Sequence, residues 1–189
     1  PTPPPSTSSG QMQQELAEVR SAVDNLTREQ VAVVYRWADG VGTYTPPGHW
    51  NHIAAGYLQT AGFSEVRAAR VFALLNMAMH DAAVGCWETK FFYFNPRPSQ
   101  LDPGLRTPTG VPNFPAFTSG HSTFSAAAAT VLSSLFPERT AEVEAMKEEA
   151  AISRLYGGIH YRADIESGKE HGRRIAGYTV RFAAQDGAR

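Results

Sequence analysis

Apolar side chains recur along this chain in steps of three and four, so the pattern predicts helices and no convincing strand. Met12, Leu16, Val19 and Val23 mark one face of a helix over residues 11–23. Thr27 has the residue type of an N-cap for a second helix, which runs to Trp37 with Val31, Val34 and Tyr35 turned inward. Residues 39–50 hold three glycines and Pro46-Pro47 and read as a loop, with a short helix expected over residues 49–58. Ser64 opens a longer helix to Lys90, whose stripe is Phe72, Leu75, Met79, Ala83 and Cys86. Residues 91–118 hold six prolines and little period, and an irregular stretch of that length is more often functional than idle. Ser119 or Ser122 then starts an alanine-rich helix to Phe136, ended by Pro137. Helices over residues 138–155 and 164–184 follow, with Gly157-Gly158 breaking the chain between them. The expected fold is all-α: a helical bundle in a single domain over residues 11–189, after a Pro/Ser/Thr-rich linker over residues 1–10.

Composition narrows the classes of function. With 189 residues, 42% of them hydrophobic, the chain can bury a sizeable core. A net charge of −1 gives neither the basic excess of a nucleic-acid binder nor a polybasic pull toward a membrane, so anion chemistry must come from local clustering of cations. The single cysteine, Cys86, excludes an intrachain disulfide and reads as a buried structural thiol. Residues 1–10 lack the basic start and apolar core of a signal peptide, and the longest apolar candidate, residues 124–136, is too short to span a bilayer. The chain reads as soluble, with secretion or a periplasmic location left open. Its start, without methionine, fits a mature form or the C-terminal part of a longer protein.

Three blocks carry candidate chemistry. Lys90 is followed, after six residues, by Arg97-Pro98; Thr118-Ser119-Gly120-His121 comes next; Ser153-Arg154 is followed, after five residues, by His160 and then by Asp164. A Ser-Gly-His run at a helix start exposes backbone N–H groups at the positive end of the helix dipole, and Gly120 lets an anion approach closely. Ser119 adds a hydroxyl, and His121 stands beside this cradle with a ring able to carry a proton near neutral pH. Arg97 and Arg154 offer planar forks that match a tetrahedral oxyanion, and Lys90 offers a point charge. Asp164, four residues beyond His160, faces the same way if the chain is helical there, and its carboxylate would fix the ring's tautomer. A histidine so held is a nucleophile toward phosphorus and equally an axial ligand for vanadium. The bland readings are a simple N-cap at Ser119, surface arginines, and pairing of Asp164 with Arg162 or Lys169. Any block alone is weak; three in this order and spacing are specific.

These blocks resemble the pattern shared by type 2 phosphatidic acid phosphatases, bacterial non-specific acid phosphatases and vanadium-dependent haloperoxidases, with Thr118 where that pattern has proline. Thr118 is expected to lie outside the cradle. The resemblance implies that Lys90, Arg97, Ser119, Gly120, His121, Arg154 and His160 hold the oxyanion. His160 would be the vanadium ligand in a haloperoxidase or the phosphoryl acceptor in a phosphatase. His121 would be the acid–base group and Asp164 the residue orienting His160. Flanking segments at residues 37–40, 45–51, 76–83 and 95–100 look like bacterial haloperoxidase-like proteins. They favour a vanadate-dependent peroxidase acting with hydrogen peroxide on a halide or a small organic acceptor. The alternatives are a phosphomonoesterase that binds phosphate and a chain without activity. His80-Asp81 is either a pair steadying an arginine of the site or a polar break on a helix face. His49 and His52 have a spacing that suits a metal but no evident third ligand, so a structural role is expected. The aromatic run Phe91 to Phe94 is expected in the core, with a substrate channel or the contact of a homo-oligomer as the alternatives.

Overall fold

A computed structural model describes residues 1–188, and among these the chain is all-α. Helices α1 (Gly10–Asp24) and α2 (Arg28–Arg36) lead into α3 (Thr45–Ala61) and the long α4 (Glu65–Tyr93). A single turn, α5 (Pro98–Leu101), interrupts the proline-rich stretch, followed by α6 (Gly120–Leu135), α7 (Thr140–Tyr156) and α8 (Arg162–Ala183). The caps expected from the sequence form. Thr27 and Gln30 close a capping box on α2, and the Ser64 and Ser119 hydroxyls cap α4 and α6.

Two boundaries and one burial differ from the sequence reading. Helix α3 begins at Thr45, not near His49, because Pro46 and Pro47 fall in its first turn, where no N–H is needed. Helix α8 starts two residues early, and His160 lies outside it. The aromatic run is not core: Phe91, Phe92 and Phe94 are exposed at the end of α4.

The alanine-rich α6 is the buried axis of the bundle, packed against α3, α4, α7 and α8. Its Ala127, Ala128, Val131 and Leu132 meet Leu75, Ala78, Met79 and Ala82 of α4 in the main core. Helix α8 approaches α6 most closely through glycine. A Cβ at Gly168 would sit 2.8 Å from the Ser119 carbonyl oxygen, and one at Gly172 would sit 2.1 Å from that of Thr123. Only residues without a side chain allow that seam. A smaller cluster of Met12, Val19, Leu105, Ala116, Leu155, Tyr161 and Ile165 ties α1 to the loop before α8. Buried Glu15 of α1 adds a polar tie, accepting the Ala163 N–H at 2.9 Å. Among the described residues no helix is long and apolar enough to cross a membrane.

Candidate functional site

The first turn of α6 is anchored from α8. The Ser119 N–H donates to the Asp164 carbonyl at 3.0 Å. The Ser119 Oγ accepts from the Ser122 N–H at 3.3 Å and from the Ser122 hydroxyl at 2.9 Å, which leaves its own proton to donate elsewhere. The N–H groups of Gly120 and His121 lie in the helix's first turn and have no intrahelical acceptor.

The cations converge on this end of α6. Arg97 is presented by α5: its N–H bonds Gln100 Oε1 at 2.7 Å and Pro98 follows as the first helical residue. Its Nε donates to the Phe114 carbonyl (3.0 Å) and its Nη1 to the Ile159 carbonyl (2.8 Å), while Nη2 is buried without a hydrogen-bond partner. Arg154, buried in the last turn of α7, donates from Nε to Ser153 Oγ at 2.8 Å and from Nη2 to the Val34 carbonyl at 3.3 Å. Burial lowers both guanidinium groups, to about 10 each, so both stay protonated at neutral pH.

Lys90 is fully buried and differs from its expected form. Its Nζ donates to the carbonyls of Pro115 and Ala116, each at 2.9 Å, and of Thr118 at 2.5 Å. All three ammonium protons therefore hold the loop, and Lys90 offers the site its charge. Thr118 is not peripheral either. It is fully buried, its carbonyl is one of the Lys90 acceptors, and its hydroxyl meets Cys86 Sγ at 3.6 Å. Cys86 is buried, as expected of a structural thiol.

His160 and Asp164 meet, but not across a helix face. His160 precedes the Tyr161 cap of α8, and Asp164 is the third helical residue, folding back to accept the Tyr161 N–H at 3.1 Å and to meet His160 Nδ1 at 2.9 Å with the same Oδ2. The proposed alternative partners are taken: Arg162 bonds Glu18, and Lys169 pairs with Glu148 and Glu166. Burial, followed by the positive charges of Arg97, Lys90 and Arg154, holds the His160 ring well below the usual imidazole range, so it is neutral. With Nδ1–H donated to Asp164, Nε2 carries the lone pair, and Arg97 Nη1 faces it at 2.9 Å. Burial raises the Asp164 carboxyl, while the Tyr161 N–H, Lys90 and Arg97 oppose that rise.

His121 is likewise kept neutral by burial and by Arg154, and its Nε2 has no hydrogen-bond partner. Beside it stand two residues that the sequence reading did not place in the site. Asp39 Oδ2 is 3.8 Å from His121 Nε2, and both Asp39 oxygens are 3.1 Å from His49 Nδ1. Both fall in the flanking segments and His49 stood out only for its spacing to His52; nothing paired the two, because a loop residue and a helix residue ten positions apart share no period. His80 and Asp81 are exposed on α4, so the polar-face reading holds for them. Among the described residues no cluster of three or more His, Cys, Asp or Glu side chains fits a metal ion. Arg97 also lines a cavity of about 590 Å³ with Phe91, Phe94, Asn95 and Phe114.

A neutral histidine with an oriented lone pair, ringed by three cations, has the chemistry to hold an oxyanion that accepts a ligand nitrogen. Residues 69–186 match the model of the PAP2 superfamily, and the chain belongs to that family. A bacterial vanadium-dependent iodoperoxidase superposes with a TM-score of 0.87 at 29% identity, over 96% of this chain and 52% of that one. An apo-type bacterial vanadium-dependent chloroperoxidase matches with a TM-score of 0.75 at 13% identity, over 92% of this chain and 49% of that one. A transmembrane PAP2-type phosphatidylglycerolphosphate phosphatase from Bacillus subtilis matches at 0.68 and 17%, over 97% of this chain and 90% of that one. The chain thus spans about half the length of the two peroxidases. No curated protein matches it in sequence.

Proposed function

We propose that this chain forms the catalytic domain of a vanadate-dependent peroxidase that uses hydrogen peroxide to oxidise a halide. The observation carrying this reading is the likeness to the iodoperoxidase, at 29% identity over nearly the whole chain. The residues fit vanadate. His160 offers an unprotonated Nε2, Arg97 Nη2 is a buried donor without a partner, and Ser119 has a spare proton beside the free N–H groups of Gly120 and His121. In this reading His160 is the metal ligand, while Arg97, Ser119, Gly120, His121 and Arg154 hold the oxygens and Lys90, its protons held by the loop, adds its charge. Bound vanadate would supply the oxidising centre at which peroxide is activated. His121 would take up and return the peroxide proton, Asp164 would keep the His160 tautomer, and Lys90 with the arginines would stabilise negative charge.

The same cage suits phosphate, which has vanadate's shape and a similar charge. In that second reading His160 Nε2 attacks phosphorus and His121 protonates the leaving alcohol. The deciding assay is oxidation of iodide and bromide by peroxide, with and without orthovanadate. Vanadate-dependent oxidation supports the peroxidase. Hydrolysis of a chromogenic phosphate ester that vanadate inhibits, with no halide oxidation, moves the chain to the phosphatase reading. Silence in both assays points to a chain without activity.

A further inference from the structure

The geometry points to His49 as a positioning residue that holds the Asp39 carboxylate between His121 and Arg154. This inference rests on the reading of His121 as the proton carrier. Asp39 lies in the loop between α2 and α3 at a φ of 45°, a left-handed conformation that aspartate tolerates better than most residues. His49 comes from the first turns of α3 and sits 3.1 Å from both Asp39 oxygens. The pair is enclosed: side-chain exposure is 5% for Asp39 and 12% for His49. Trp37 stacks on the His49 ring with centroids 4.3 Å apart, and Tyr44 meets it edge-on at 5.2 Å.

A buried carboxylate needs donors to remain charged. Burial raises the Asp39 carboxyl, and the His49 hydrogen bond, then the His49 and Arg154 charges, pull it back. Asp39 faces two groups of the proposed machinery. Its Oδ2 is 3.8 Å from His121 Nε2, and it is the acidic group whose charge acts on Arg154. At 3.8 Å the His121 contact is too long for a hydrogen bond, but it is close enough to stabilise a proton arriving on that ring. Around His121 stand Arg154 of α7, His49 of α3 and Lys90 of α4, all opposing its protonation, while the Trp37 backbone favours it and Asp39 is the carboxylate that faces the ring. His49 fixes where that counter-charge points.

Two substitutions separate hydrogen bonding from packing. His49→Phe keeps an aromatic ring on Trp37 and removes the donor; His49→Gln keeps a donor and removes the stack. Both are compared with Asp39→Asn and with the His49→Phe/Asp39→Asn double variant in halide oxidation and in phosphate-ester hydrolysis, using whichever turnover the protein shows. The expected result is a fall in kcat of about tenfold for His49→Phe and for Asp39→Asn with KM unchanged. The double variant should be no worse than either single one, and His49→Gln should stay near the parent. The ¹⁵N shifts of the His121 ring give a readout that needs no turnover and should move in the same pattern. Retained kcat in His49→Phe with loss in His49→Gln, additive losses in the double variant, or His121 shifts that ignore His49→Phe would each overturn the assignment. Failure of both turnover assays would sink the proposed function while the ring shifts still decide the role of His49.

Discussion

Arg97 Nη1 lies 2.9 Å from His160 Nε2, so the guanidinium addresses the one ring nitrogen that Asp164 leaves unprotonated. Its Nε and Nη1 also bond the carbonyls of Phe114 and Ile159, and its Nη2 is buried without a partner. Arg97→Ala is therefore expected to weaken phosphate or vanadate binding by about 2–4 kcal/mol, the loss typical of a buried charged donor. Calorimetric titration of both anions checks this, and an unchanged affinity would remove Arg97 from the site.

His160→Ala should abolish turnover in whichever assay is positive, since no other side chain offers an oriented lone pair at that point. Asp164→Asn should be milder, with a fall of about 10–100-fold, because the ring remains but loses the acceptor fixing its tautomer. Near-parent rates in His160→Ala would refute its role; equal losses in the two variants would mean that Asp164 supports the fold and not just the ring.

In the proposed reading the Lys90 ammonium sets a pH limit on anion binding. Burial is the main force pushing it down, to about 8 from an ordinary 10.5, with Cys86 and Asp164 opposing. Because its folded value is depressed, the proton is present below about pH 8 and is lost above it. The Lys90 contribution to anion affinity should then be flat below pH 8 and fall by up to about tenfold per pH unit above. The measurement is the ratio of phosphate affinities of parent and Lys90→Met across pH 6–10, in which the ligand's own ionisation cancels. A ratio that stays constant to pH 10 would show that the three carbonyl acceptors keep Lys90 protonated.

Gly172→Ala tests the seam between α6 and α8. An added Cβ would stand 2.1 Å from the Thr123 carbonyl oxygen, backbone against backbone, so the helices must separate. Overpacking of this kind costs about 1–3 kcal/mol. Urea unfolding should show a lower midpoint with an unchanged slope. A midpoint equal to the parent's would mean that the seam is looser than described.

Much of this architecture was legible because single residues carry strong local rules. Thr27, Ser64 and Ser119 cap the helices they were expected to start, and Gly157-Gly158 separates α7 from α8. Lys90, Arg97, Ser119, His121, Arg154, His160 and Asp164 stood out through block spacing as candidates, and the structure brings them to one end of α6. What escaped was tertiary. Prolines 46 and 47 read as loop punctuation because proline breaks helix interiors, yet they fit a first turn. Asp39 and His49 come together only because α3 folds over the loop before it. Gly168 and Gly172 lie inside α8, and their use is visible only with α6 in place.

That seam also fixes something no side chain controls. The Ser119 N–H is tied to the Asp164 carbonyl, and Gly168 presses against the Ser119 carbonyl from the same helix. The separation between the first turn of α6 and the start of α8 beside His160 is thus a main-chain dimension, a gauge set by two helices in direct contact. Exchanging the surrounding side chains would retune charge and polarity inside a pocket of constant width. Admitting a larger anion would instead require moving α8 itself.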